Sequence, residues 1–396
     1  MWCYWRGPIE GRRKQLTSFD ERLMDERMSR GRLLRLGAVG AVGYIATACG
    51  GSSKSSGGFG NPTGRSDHPV TLNWLTWSDH YANDQLAAVK QKTNERGRPQ
   101  LFSDNADAYL KIKQTGSQFD IVSGDALWVP KYNHSGLTES FDLSELPVSK
   151  QLYPIARDFS FWKDGSNYMG YPFSWSTVQI YYNPKYVTTV PDSWHALLDK
   201  KYAGKISLEN IPTDMMAIAA RATGAKKPYS MSDAEIAEAK GWLKEFKPNV
   251  LKLASQNNEV VRALADGSAW IGITNLGTDD RVKDAGGPVV KTAYPKEGTI
   301  GFIDSEQMVS ASKNKDAFAR FINAMEQAPY IAQNFLTNGR PLFNEKSYKM
   351  LVNQGHGDRA RRLLYNQPEK ALKMTLKGPS GNEQAYTDAF NEVFGA

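Results

Sequence analysis

From Val70 onward the chain twice runs through an alternation of strand and helix patterns, and one long β-rich passage, residues 168–183, separates the two runs. That alternation constrains the fold most. A strand, a helix and a second strand return parallel through a right-handed crossover, which builds a parallel sheet covered by helices. In the first run, Val70–Trp77 reads as a strand, and Asp79 and Asn83-Asp84 open a helix to about Asn94. Pro99–Ser103 is a second strand, Ala106–Gln114 a helix closed by Gly116, and Phe119–Ser123 a buried strand, with Asp125 at a helix N-cap position. Pro184 ends the β-rich passage. In the second run, strands over Lys205–Leu208 and Ala269–Thr274 alternate with helices over Pro212–Thr223, Ser232–Phe246, Asn258–Ala265 and Asp279–Ala285. Short strands follow at Val289–Ala293, Thr299–Phe302 and Met308–Ala311, then helices at Lys315–Met325, Pro329–Leu336 and Asn382–Phe394. There is no internal repeat. Two α/β halves joined by a β-rich passage predict two lobes with a cleft, and ligands of such sheets sit beyond the carboxyl ends of the strands.

The 396 residues, 40% hydrophobic, suffice for two medium domains or one large one. The net charge of +7 invites a nucleic-acid reading, but its distribution argues against one. Residues 1–48 hold nine Lys/Arg against five Asp/Glu, whereas from Cys49 onward the surplus is 40 − 37 = 3, with no basic run interleaved with aromatics. The cysteines are Cys3 and Cys49 alone, too few for a disulfide framework.

The N-terminal region reads as an address. Arg30, Arg32 and Arg35 precede the apolar run Leu36–Ala48, then Cys49-Gly50-Gly51 and a Ser/Gly tether to about residue 67. A positive flank, a short apolar core and small residues at a cut are the order of a secretory signal, and the core is too short to span a bilayer. Glycines at 37, 40 and 43 count against the other reading, a buried core helix. A cysteine at the cut resembles a bacterial lipoprotein signal, which implies a lipid anchor on Cys49, although Ala46 stands where a larger aliphatic is usual. Arg30-Gly31-Arg32 resembles a twin-arginine signal broken by Gly31, and residues 1–27 read as an upstream extension, with Met24 or Met28 the more ordinary start. The expected location is outside the cytoplasm, lipid-anchored or periplasmic.

Five segments, in order, carry a family resemblance: Leu75–Tyr81, Phe119–Asp125, Met169–Asn183, Asp192–Ile206 and Tyr294–Ser305. Together they resemble the spermidine/putrescine-binding proteins of bacterial ABC importers over most of 70–380. The resemblance implies a type II periplasmic-binding-protein fold. Lobe one would hold 68–178 and 304–350, and lobe two 182–300 and 353–396. Crossings are expected near Val178–Tyr182, Ile300–Ile303 and Met350–Asn353, with closure on ligand as the signal to the permease. The implied ligand is a polyamine such as putrescine or spermidine, the partner an ABC permease, and the state a monomer without cofactor, metal or nucleic acid.

A linear polyamine needs carboxylates for its ammonium groups and aromatic faces for its methylenes. The resemblance makes Asp304 the amine-anchoring carboxylate and Phe302 an aromatic wall. Trp77 and Ser78 match the first aromatic loop, and Tyr81 or His80 the next aromatic. Asp125 is a site residue or a plain N-cap. Asp214 is a second amine ligand or a carboxylate favoured by a helix dipole. Asn275 and Arg340 depart from the pattern, standing where Trp and Tyr are frequent. An arginine in the cleft repels a diamine and attracts a carboxylate, so an amino-acid-like or opine-like ligand stays open, as does an Arg340–Asp304 pair.

Three other classes are weighed. An enzyme lacks support: there is no nucleophile elbow, phosphate loop or dinucleotide fingerprint, and the five histidines have no ligand spacing. A ferric-iron receptor would use adjacent tyrosines such as Tyr181-Tyr182, but successive strand residues face opposite ways. A non-transport lipoprotein would show no stabilisation by small molecules.

Overall fold

A computed structural model describes residues 58–395. One continuous sheet runs across them in the order Arg96–Leu101, Thr71–Thr76, Ile121–Asp125, Ile300–Val309, Tyr171–Tyr182, Ile271–Asn275, Ile206–Glu209, Val250–Ala254. The three strands at each end are mutually parallel, as the alternation requires, and the two long strands in the middle are antiparallel to each other and to their outer neighbours. Two α/β lobes therefore share two strands. Tyr171–Thr177 pairs with Gly301–Glu306, and Val178–Tyr182 turns to pair with Ile271–Asn275, so the long strand changes lobes at Thr177/Val178.

Each lobe has its own core. Lobe two buries Ile180, Trp194, Leu208, Met216, Trp242, Phe246 and Phe390, and lobe one buries Trp74, Ile121, Trp162, Trp175, Phe318 and Phe321. The helix Pro212–Thr223 illustrates the local logic. Pro212 sits at the first turn where no donor is lost, Gly224 caps the end at φ 89°, and the residues between are almost all buried. Ser232 and Glu235 close a reciprocal cap on the next helix, Asp233–Phe246. At the join between lobes the backbones approach closely: a Cβ on Gly277, which has φ +83°, would lie 1.9 Å from the Gly339 carbonyl oxygen. Only glycine fits there.

Three expectations need correction. The short strands at Thr299–Phe302 and Met308–Ala311 are one ten-residue strand, Ile300–Val309, whose buried polar residues Asp304, Glu306 and Gln307 find hydrogen-bond partners elsewhere in the fold. Asp125 ends its strand, and the following helix, Trp128–His134, is capped at Leu127. Met350–Asn353 is no crossing: it completes the helix Glu345–Asn353, whose Leu351 packs in a lobe-one cluster with Ala360, Leu363 and Tyr365. The third crossing lies instead after Thr375–Leu376, which pairs with Ile300-Gly301, before the helix Glu383–Phe394 joins lobe two. The proposed leader, Cys49 and the tether up to residue 57 fall outside the described residues. Among the described residues, no helix is long and apolar enough to cross a membrane.

Candidate functional site

A cavity of about 260 Å³ opens between the lobes, at the carboxyl ends of Thr71–Thr76, Ile121–Asp125, Ile206–Glu209 and Ile271–Asn275. Eight of the nine expected ligand-binding residues line it: Trp77, Ser78, Asp125, Asp214, Asn275, Phe302, Asp304 and Arg340. Tyr81 does not. It packs on the lobe-one core with its ring 5.9 Å from Trp74, and the alternative, His80, does not line the cavity either but is fully buried behind it. The wall also includes Asp79, Asp104, Trp128, Glu209, Lys377 and Glu383, which sequence reasoning did not single out.

The lining holds seven carboxylates, Asp79, Asp104, Asp125, Glu209, Asp214, Asp304 and Glu383, against two cations, Arg340 and Lys377. The cavity is thus strongly acidic in a chain that carries a positive net charge.

Asp304 is already engaged. Its Oδ2 accepts from Ser174 Oγ at 2.7 Å and from Arg340 Nη1 at 3.0 Å. Arg340 also contacts Asp79, at 3.3 Å to the carboxylate and 3.2 Å to the carbonyl oxygen, and lies 5.4 Å from the Phe173 ring centre. Arg340 therefore does enter the site, turned onto protein carboxylates. Behind it, His80 Nδ1 stands 2.7 Å from Glu306, while its Nε2 is 3.4 Å from Asp304, within ionic range but without hydrogen-bond geometry. Glu306 also accepts from Trp74 Nε1 at 2.8 Å and Ser123 Oγ at 2.7 Å. Burial and Arg340 both disfavour a charged His80, but the Glu306 and Asp304 partners outweigh them and its pKa is raised.

Asp125 is treated differently. It pairs directly with Asp304 across the antiparallel ladder, so both carboxylates project on the same side. Its Oδ1 is buried without a hydrogen-bond partner. Burial, with Asp304 and Asp214 adding repulsion, outweighs the attraction of Lys377 and pushes its pKa up to about 8. Glu209 accepts from Thr274 Oγ1 at 2.9 Å, and burial likewise raises its pKa despite Lys377. Asp214, in the first turn of Pro212–Thr223, pairs with Lys377 and accepts from Tyr229 at 2.9 Å. Lys377 Nζ lies 4.9 Å from the Phe302 ring centre. Burial disfavours its charge, but Asp214, Asp125 and Glu209 overcome this and its pKa is raised.

Tyr181 and Tyr182 belong to two different core clusters, on opposite faces of their strand, so they form no paired iron ligand. Among the described residues, no cluster of three or more metal-ligating side chains occurs.

Comparison with known proteins agrees with this architecture. The chain is 26% identical over 278 residues to the putrescine-binding periplasmic protein PotF of Escherichia coli, covering 66% of this chain and 75% of the relative. It is 25% identical over 299 residues to the spermidine/putrescine-binding periplasmic protein of the same organism, covering 74% and 83%. In structure it resembles a putative spermidine/putrescine ABC transporter from Listeria monocytogenes with a TM-score of 0.71 at 24% identity, covering 82% of this chain and 97% of the other. The Tp0655 (TpPotD) lipoprotein of Treponema pallidum gives a TM-score of 0.67 at 17% identity, covering 82% and 99%. The family of bacterial extracellular solute-binding proteins matches residues 98–352, more than half of the sequence, and this chain belongs to that family.

Proposed function

We propose that this protein is the extracytoplasmic receptor of an ABC importer and that it captures a small aliphatic amine of the putrescine/spermidine class. The observation that carries this reading is the excess of carboxylates in one interlobe cavity, seven against two cations. Carboxylates stabilise ammonium groups, and the rings of Trp77, Trp128 and Phe302 on the same wall offer faces for methylenes and cations. The curated relatives named above support the same ligand class. Closure of two lobes that share strands supplies the two states a permease distinguishes. Cys49 is the proposed site of a lipid anchor, which predicts that Cys49→Ser moves the protein from the membrane to the soluble fraction.

The opine-like reading depended on a free guanidinium. Arg340 instead faces Asp304 and Asp79, which leaves a ligand carboxylate poorly served. A thermal-shift panel of putrescine, spermidine, basic amino acids, 4-aminobutyrate and opines tests both. A receptor at 100 times its Kd gains roughly 2.7 kcal/mol. Stabilisation by the diamine and triamine is expected, and stabilisation only by ligands that carry a carboxylate would reject the amine reading.

A further inference from the structure

The two cations in the cavity sit as ligand ammonium groups would. Lys377 Nζ is paired with Asp214 and lies 4.9 Å from the centre of the Phe302 ring, with about nine-tenths of both side chains buried. Its backbone is fixed on both sides, since its N–H donates to Gly301 O at 2.8 Å and its carbonyl oxygen accepts from Leu127 N–H at 3.1 Å. The side chain is therefore built into the site at the third crossing.

We propose that Lys377 is a tethered counter-cation that fills one ammonium position of the cavity, and that it restricts the ligand to a diamine. This rests on the amine-receptor reading and goes further by fixing the charge count of the ligand. The count follows from the partners. Asp214 is taken by Lys377, Asp304 and Asp79 by Arg340, and Glu383 by Lys131 at 3.0 Å. Asp104 is occupied as a helix cap, accepting from Asp107 N–H at 2.8 Å. Asp104 has a helix N-terminus to answer its charge, whereas two carboxylates, Asp125 and Glu209, face the cavity with neither a cation nor a helix N-terminus of their own, and Asp125 Oδ1 has no hydrogen-bond partner at all. Two unmatched carboxylates accommodate two ammonium groups, and a third ammonium would have to compete with Lys377 for Asp214.

Isothermal titration of the full exported chain at pH 7.5 with 1,4-diaminobutane and with spermidine tests this. The wild type is expected to bind the diamine at least about tenfold more tightly than the triamine. Lys377→Gln removes the charge, keeps a donor for Asp214, and should shift the ratio at least about tenfold toward spermidine. Lys377→Arg should keep the wild-type ratio. The double variant Lys377→Gln/Asp214→Asn removes both charges of the pair, so neither is left buried without the other, and it supplies the comparison if the single variant fails to fold. It should retain the diamine preference. An unchanged ratio in folded Lys377→Gln, equal binding of the two amines by the wild type, or a gain for spermidine in the double variant would each overturn the proposal while leaving the amine receptor intact. Binding of neither amine by the wild type would overturn both.

Discussion

Asp304 and Asp125 stand opposite each other on neighbouring strands and point into the same cavity, yet their surroundings differ. The Asp304 side is a charge-paired network: Ser174, Arg340, Asp79, His80 and Glu306 contact one another within the lobe, although His80 Nε2 and Arg340 Nε have no hydrogen-bond partner. The Asp125 side faces the other lobe, where Glu209 and Asp214 add negative charge and only Lys377 answers it. The first region is built for stability and shape, and the second is held at a cost that a bound cation relieves. A receptor needs both: rigid positioning of the wall, and charge that is uncompensated until the ligand arrives.

The comparison breaks most readily at Asp304. Asp304→Asn leaves Arg340 buried with Asp79 as its remaining carboxylate, and losing one partner of a buried pair costs about 3–5 kcal/mol. Denaturant unfolding at pH 7 should show a loss of that size. If stability is unchanged and amine binding alone is lost, Asp304 is a ligand anchor and the two regions have been assigned the wrong way round.

Asp125→Asn should do the opposite and stabilise the empty protein. A carboxyl whose pKa rises from 3.8 to about 8 on folding holds a proton that the unfolded chain releases. Stability is then present below pH 3.8 and lost progressively as pH rises toward 8. The variant should remove that slope and add on the order of 4 kcal/mol at pH 7. Amine binding carries the same signature with the reverse sign. The ammonium must displace the proton, so affinity should increase between pH 6 and 8, by up to about tenfold per unit, and level off beyond. Titration calorimetry in two buffers of different ionisation enthalpy would report the released proton. Its absence would mean that Asp125 does not meet the ligand.

The motif segments made most of this wall legible. Trp77, Ser78, Phe302 and Asp304 lie within stretches whose residue order survives as a pattern, and the alternation of strands and helices put both cores and the parallel ends of the sheet where they are found. Tyr81 failed because the loop after Thr76 turns, and position along the chain does not say whether His80 or Tyr81 faces inward. Lys377 carried no signal. It follows a two-residue strand, and its place in the site depends on Thr375–Leu376 adding to Ile300-Gly301, a contact between distant parts of the chain. Glu209 ends a strand as many solvated glutamates do, and its partner Thr274 and its neighbour Lys377 come from distant parts of the chain. Pairings across a cleft are not encoded in local periodicity.

His80 sharpens the contrast at smaller magnitude. The charged groups facing it are Glu306, Asp304, Arg340 and Asp79. Its folded-state pKa lies above the usual 6.5, so the stability it contributes is complete below pH 6.5 and fades as pH rises through the folded value. His80→Gln should flatten the stability profile on the alkaline side of 6.5, and leave the slope due to Asp125 in place. A profile that keeps its full alkaline slope in this variant would show that Glu306 does not hold a proton on the ring.

The smallest effect belongs to the contact that joins the two lobes away from the cavity. Arg359 and Arg362, on the helix Gly357–Arg362, reach Asp280 on Thr278–Asp284 of the other lobe, with Arg359 Nε at 2.8 Å from the carboxylate. Asp280 is 15% exposed and Arg362 51%, so water screens the pairs and each contributes no more than about 1 kcal/mol. Opening of the lobes is expected to separate these pairs, so they would favour the closed arrangement. Asp280→Asn should therefore weaken amine binding by about 2- to 5-fold, which is what a fraction of a kcal/mol to about 1 kcal/mol amounts to. The loss should appear mainly as faster release, because the ligand-contacting residues are untouched. It should shrink further at high salt. An affinity that does not depend on salt in the wild type, or that is unaffected in Asp280→Asn, would place the energetics of closure entirely in the cavity, on the Asp125 side.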